Sequence, residues 1–152
     1  MKYKTQFTHT LISPVDYATG GEAAKAVAVM VPAPCALQIT ALAQLEQEQA
    51  KAMFRAATAL KDMVKKSEEK EPSEDISDAD AEGHVQMLAG NGFDLAAGYA
   101  QMKTLLAFPR NPAKMDGKEK MTEDLFSMLS VPDMRIMLGK YLLNFLVFSR
   151  QG

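Results

Sequence analysis

From Tyr3 to Leu11 the odd positions are Tyr3, Thr5, Phe7, His9 and Leu11, and the even ones are Lys4, Gln6, Thr8 and Thr10. A period of two places alternate side chains on opposite faces and predicts a half-buried strand. Beyond Ser13-Pro14 and Gly20-Gly21, the run KAVAVMV sets Val27, Val29 and Val31 on one face and Ala26, Ala28 and Met30 on the other. The two segments predict a β-hairpin region over 1–34, with a long loop between the strands and an end at Pro32-Ala33-Pro34.

The pattern then changes. Residues 37–66 contain no Gly or Pro and are rich in Ala, Leu, Gln, Glu and Lys, which are good or acceptable helix formers. Leu42, Leu45, Met53, Leu60, Met63 and Val64 keep to one stripe, so the spacing predicts one long amphipathic helix. Residues 67–82 follow as an acidic stretch read as a solvated, mobile loop, with Pro72 and few apolar positions. Residues 83–152 read as a series of helices. Ser77 with Asp80 forms a capping pair for one carrying Val85, Met87 and Leu88 and stopping at Gly90-Asn91-Gly92. A second starts near Asp94, holds Leu95, Tyr99, Met102, Leu105 and Leu106, and ends before Pro109. A loop with a turn at Asp116-Gly117 precedes a short helix capped by Thr122 and a last helix started by Ser130, with Asp133 three residues on and Pro132 in the first turn. The expectation is an α+β fold: a mainly α-helical single domain with an N-terminal β-hairpin.

The last helix poses a problem of coverage. GKYLLNFLVF, residues 139–148, is apolar at nearly every position from Tyr141 on, so at about 100° per residue its side chains point all round the axis. A helix lying on one core needs only one apolar stripe. The surplus predicts a contact surface made by Tyr141, Leu142, Phe145, Leu146 and Phe148, with Phe145→Asp expected to abolish partner or self binding. Eleven methionines and no tryptophan fit such a surface, because the methionine side chain is unbranched, polarizable and adaptable.

Length and charge narrow the partners. A chain of 152 residues, 47% hydrophobic and 24% charged, is the size of one ordinary domain. Its formal net charge of -2 lacks the positive excess of a general nucleic-acid binder. Residues 65–82 carry eight acids and three lysines, net -5, so the remainder is about +3 by subtraction from -2. The lone Cys35 has no partner within the chain for a disulfide and points to a reducing compartment. MKYKTQFTHT has none of the apolar run of an export signal, so the mature chain is expected to start at Met1. The C-terminal apolar run, broken by Lys140 and Asn144, is far short of the ~20 residues that cross a bilayer, and no membrane association is expected.

Candidate chemistry is sparse. Asp78-Ala79-Asp80-Ala81-Glu82-Gly83 imitates the front half of a calcium loop, but its twelfth position is Ala89 where a bidentate carboxylate is required, and the stretch reads as an acidic helix start. His9 and His84 lie on different elements without companions at metal-ligand spacing. Cys35 sits in a Pro-Ala-Pro-Cys joint with no base nearby in sequence, and Gly90-Asn91-Gly92 lacks the Lys-Ser/Thr of a phosphate loop. No catalytic, metal or cofactor site emerges, and a non-enzymatic protein is expected.

The pieces also occur in a familiar order. L-x-x-P (Leu11 to Pro14), Gly20-Gly21-Glu22, a valine strand ending in Pro-Ala-Pro and a helix opening on Leu37-Gln38-Ile39 are followed by Gly92-Phe93-Asp94-Leu95 and Met121-Thr122-x-x-Leu125. The chain closes on S-V-P-D-M and a G-x-Y-x-x-N-F ending at Gly139, Tyr141, Asn144 and Phe145. This order resembles the tail assembly chaperones of long-tailed bacteriophages, over most of the chain except the acidic stretch. The resemblance implies a protein that binds the helical tape-measure protein, helps recruit tail-tube protein, self-associates as a homo-oligomer, works in the host cytoplasm and is absent from the mature virion. It carries over no catalytic residues. A structural minor tail or connector protein of a phage particle is the alternative reading.

Overall fold

In the computed structural model the described residues are 5–38, Lys51 and 76–147. Two strands, β1 (Gln6–Thr19) and β2 (Glu22–Pro32), pair antiparallel from Gln6 opposite Pro32 to Thr19 opposite Glu22. The turn between them is Gly20-Gly21, with φ of 59° and 82°. A two-residue turn with both φ values positive matches the twist of the flanking strands, and glycine adopts it without a Cβ penalty.

The expected strand end at Leu11 and the expected long loop are therefore corrected. β1 continues through Ser13-Pro14 because the irregularity is accommodated inside the strand. Thr10 pairs with Ala28 and Val15 with Ala26, which leaves residues 11–14 opposite Val27 alone. Pro14, with no N–H to give a ladder, falls in this unpaired stretch. The bulge also breaks the period of two. Ala26, Val29 and Val31 are buried while Val27 is exposed, so Val27 does not share the face of Val29 and Val31 as its spacing predicts.

Two short strands, β3 (Lys114–Met115) and β4 (Glu119–Lys120), complete a sheet ordered β1-β2-β3-β4. The Asp116-Gly117 turn predicted from sequence lies at the tip of this small hairpin. Asp116, at φ 51°, is held by its own side chain: Oδ1 accepts the N–H groups of Val27 and Ala28, both at 3.0 Å. Its N–H donates to the Ala28 carbonyl at 2.8 Å. One residue thereby fastens the small hairpin to β2. The strands themselves escaped the sequence reading because two residues carry no period.

Four helices begin where the sequence predicts, three of them behind the caps named there and one behind Asp94, whose capping role the sequence reading did not name. They are α1 (Asp78–Gly90) behind Ser77, α2 (Leu95–Leu106) behind Asp94, α3 (Glu123–Ser127) behind Thr122 and α4 (Val131–Tyr141) behind Ser130. Each capping oxygen accepts an N–H three residues on, which serves a donor that the helix itself leaves free. The expected acidic loop over 67–82 ends earlier than predicted, since residues 78–82 are the first turns of α1. Of the expected long helix over 37–66, Leu37, Gln38 and Lys51 are helical and the rest lies outside the described residues. α4 passes into π-helical turns at Leu142–Val147, where the Asn144 amide donates to the Lys140 carbonyl at 2.8 Å.

The fold is α+β, a mainly helical domain with an N-terminal hairpin. The inner face of the hairpin (Phe7, Leu11, Val29, Val31) packs with Val85 and Leu88 of α1, Met102 and Leu106 of α2, and Met137, Leu138 and Tyr141 of α4 in one core. Gln38 locks the Pro-Ala-Pro-Cys joint to this core. Its Nε2 donates to the Leu105 carbonyl at 2.7 Å, while Oε1 accepts from Cys35 N–H and Asn111 Nδ2 at 2.7 Å each.

The tightest helix contact is between α1 and α4. A Cβ added at Gly139 would lie 2.3 Å from the carbonyl oxygen of Ala81, which is backbone and has no room to yield. Gly139→Ala is expected to destabilise the fold by about 2 kcal/mol, the scale of overpacking in a filled core. Urea unfolding measures it; a loss below about 0.5 kcal/mol would contradict this packing.

Candidate functional site

The predicted contact residues separate on folding. Tyr141 and Leu142 are 2% and 4% exposed, and both belong to the core. Burial pushes the Tyr141 phenol well above its ordinary pKa. The expectation that these two form a contact surface is corrected, and the physical reason is enclosure. α4 packs against β1, α1 and α2 together, so apolar side chains on most of its circumference find cover within the chain. The side chains of Phe145 and Leu146, and all of Phe148, lie outside the described residues. Among the described residues the large apolar side chains left in solvent are elsewhere: Ile12, Val27, Leu37, Met128 and Val131.

α4 also carries two charges into the interior, and they meet a histidine there. Asp133 and His9 have no exposed surface, and Lys140 is buried. The Asp133 carboxylate accepts four hydrogen bonds. Oδ1 takes His9 Nε2–H at 2.9 Å and Ile12 N–H at 2.8 Å; Oδ2 takes Ser13 N–H at 3.1 Å and the Ser130 hydroxyl at 2.7 Å. The bulge of β1 turns the N–H groups of Ile12 and Ser13 away from β2, and Asp133 receives both. Ser130 in turn accepts Asp133 N–H at 3.2 Å, so cap and carboxylate serve each other.

The chain of contacts continues outward. Lys140 stands seven residues after Asp133, two turns along the same face of α4. Its Nζ donates to His9 Nδ1 at 3.1 Å and pairs with Asp78 Oδ1 at 2.7 Å, at the first residue of α1. With Lys140 charged, Nδ1 must be an acceptor and Nε2 must carry the proton, so His9 is neutral in this arrangement. Burial and the Lys140 ammonium outweigh the two aspartates and hold the His9 pKa below 6.5. For Asp133, burial pushes the pKa up, but the bonds from Ser130, Ile12, His9 and Ser13 together hold it below 3.8.

A histidine oriented by an aspartate is half of a nucleophilic triad. Here both ring nitrogens are engaged and the ring is fully buried, so it has no free nitrogen with which to take a substrate proton. The chemistry this geometry supports is mechanical. Asp133, His9, Lys140 and Asp78 join the bulge of β1, both ends of α4 and the start of α1. Among the described residues no group of three or more His, Cys, Asp or Glu side chains is arranged to hold a metal ion. Among them, too, no helix is long and apolar enough to cross a membrane.

The sequence sets His9 on one face of its strand with Phe7 and Leu11 and Asp133 at a helix start with Ser130, but joins neither to Lys140. The signals were a histidine at an apolar-face position and a lysine inside an apolar run. Nothing local shows that they meet, because 131 residues separate His9 from Lys140.

Asp133→Asn is expected to cost about 3 kcal/mol of stability, since it removes the charge and turns a donor toward N–H and O–H groups that need an acceptor. Urea unfolding at pH 7 reads the loss, and a change under about 1 kcal/mol would mean that the carboxylate is not the hub described. Neither a family model, nor a curated protein, nor a solved structure matches this chain.

Proposed function

We propose that the chain is a non-enzymatic tail assembly chaperone of a long-tailed bacteriophage, holding the helical tape-measure protein in the host cytoplasm and helping to recruit tail-tube protein. The observation that carries the reading is the order of short motifs, from Leu11-x-x-Pro14 and Gly20-Gly21-Glu22 to Gly139-x-Tyr141-x-x-Asn144-Phe145. Several of these residues do structural work: Gly20-Gly21 turns the hairpin, Gly139 admits α1, and Asn144 serves the Lys140 carbonyl. The alternative, a structural minor tail or connector protein, is separated by mass spectrometry of finished particles. A chaperone is absent from them; a component is present at fixed stoichiometry.

A holdase needs apolar surface that stays in water until a client arrives. Asp133 supplies a place for it by drawing the backbone of Ile12 to the first turn of α4, where Val131 stands two residues earlier. Ile12 is 56% and Val131 61% exposed, and Met128 is exposed just before the Ser130 cap. In this reading the client helix lies across that corner, and self-association multiplies such corners along a long client.

The test is co-expression with the tape-measure protein of the same phage. The chain should keep that protein soluble and co-purify with it. Ile12→Asp with Val131→Asp, both at solvent-facing positions, should leave the unfolding transition within about 1 kcal/mol and weaken capture at least tenfold, about 1.4 kcal/mol of binding. An insoluble client in the presence of the unaltered chain would refute the reading.

A further inference from the structure

The buried face of α1 consists of Ala81, His84, Val85 and Leu88. Ala81 is the residue whose backbone meets Gly139, and His84 lies one turn further along the same buried face, the one by which α1 packs on α4. The His84 ring is 1% exposed, and its Nδ1 has no hydrogen-bond partner among the described residues. A buried polar nitrogen left unserved is costly and uncommon, and the mechanical network around Asp133 makes no use of it.

We propose that His84 makes α1 an acid-releasable helix: protonation of its ring in the apolar seam lifts α1 from α4 while the N-terminal end of α1 stays pinned through Asp78. Among the described residues no ion pair reaches His84, so a charged ring in the seam meets no counter-ion among them. Glu82 and Arg135, a second charged pair between these two helices, are committed to each other at 3.3 Å. Lys140 is held by Asp78 and His9. At the N-terminal end the opposite holds. His9 faces Asp133 and Lys140 from α4 and Asp78 from α1, and the Asp78 carboxylate lies 4.0 Å from His9 Nδ1. A proton on His9 breaks its bond from Lys140 but gives Asp78 a second cation, so the start of α1 remains attached.

The sign of the pH dependence follows from the neutral state. Burial lowers the His84 pKa from 6.5 to about 4. A histidine kept neutral by folding favours the docked helix fully above 6.5, and that contribution is lost as pH falls toward 4. Local opening of one helix costs less than global unfolding, so α1 should leave before the sheet does.

Hydrogen exchange followed by mass spectrometry at pH 7.5 and pH 5.0, corrected for intrinsic rates, tests this on the full chain. Amides of residues 84–90 should exchange at least tenfold faster at the lower pH, with those of the β1–β2 hairpin unchanged, and His84→Leu should abolish the difference. Equal acceleration of helix and hairpin, or persistence of the effect in His84→Leu, would overturn the proposal. Should that variant fail to fold, an NMR titration of the His84 ring in the unaltered chain decides. A midpoint below pH 5 that coincides with loss of α1 structure supports release; a midpoint near 6.5 with α1 intact refutes it.

Discussion

A carboxylate shut away from water must find donors for both oxygens, and Asp133 finds four of them from three separate places in the chain. Two come from the backbone of the β1 bulge, one from the His9 ring and one from the serine that caps its own helix. The unpaired charge would cost several kcal/mol, so the arrangement holds together or fails as a unit. It joins the sheet to α4 at the one point where the β1 ladder lapses.

From that junction the rest of the molecule is positioned in sequence. Fixing the start of α4 sets the direction in which Lys140 enters the interior two turns later. Lys140 then meets His9 on one side and Asp78 on the other, and α1 is aligned so that Ala81 passes over Gly139. The polar residues decide orientation, and the apolar ones fill the space so defined. An apolar core alone tolerates several relative rotations of a helix, whereas a donor-matched carboxylate tolerates one. The same junction ties the backbone of Ile12 to the first turn of α4 and leaves Ile12 and Val131 exposed, which is where the proposed client surface comes from.

Local chemistry was legible in the sequence to the extent that it acts over a few residues. Ser77, Thr122 and Ser130 announced their helices because a capping oxygen and the amide it serves are three residues apart. Gly20-Gly21 and Asp116-Gly117 announced their turns for a similar reason, since positive φ restricts the residue type. The failures share the opposite property. A bulge between Thr10 and Val15 reverses the facing of Val27, and only the partner strand reveals it. The apolar surround of Tyr141 and Leu142 looked excessive because a helix in isolation has one buried face, and α4 is enclosed on several sides. Asp133 read as a cap because that role is local; its service to Ile12, Ser13 and His9 spans more than a hundred residues.

The most direct measurement of the Asp133 junction is its own titration, followed through the side-chain carboxyl carbon by NMR. Four donors on a buried carboxylate should place its midpoint below 3.8, the ordinary aspartate value, despite the opposing effect of burial. A midpoint at or above 3.8 would show that the donors do not converge on it, and the organisation of sheet and helices around this residue would need another explanation.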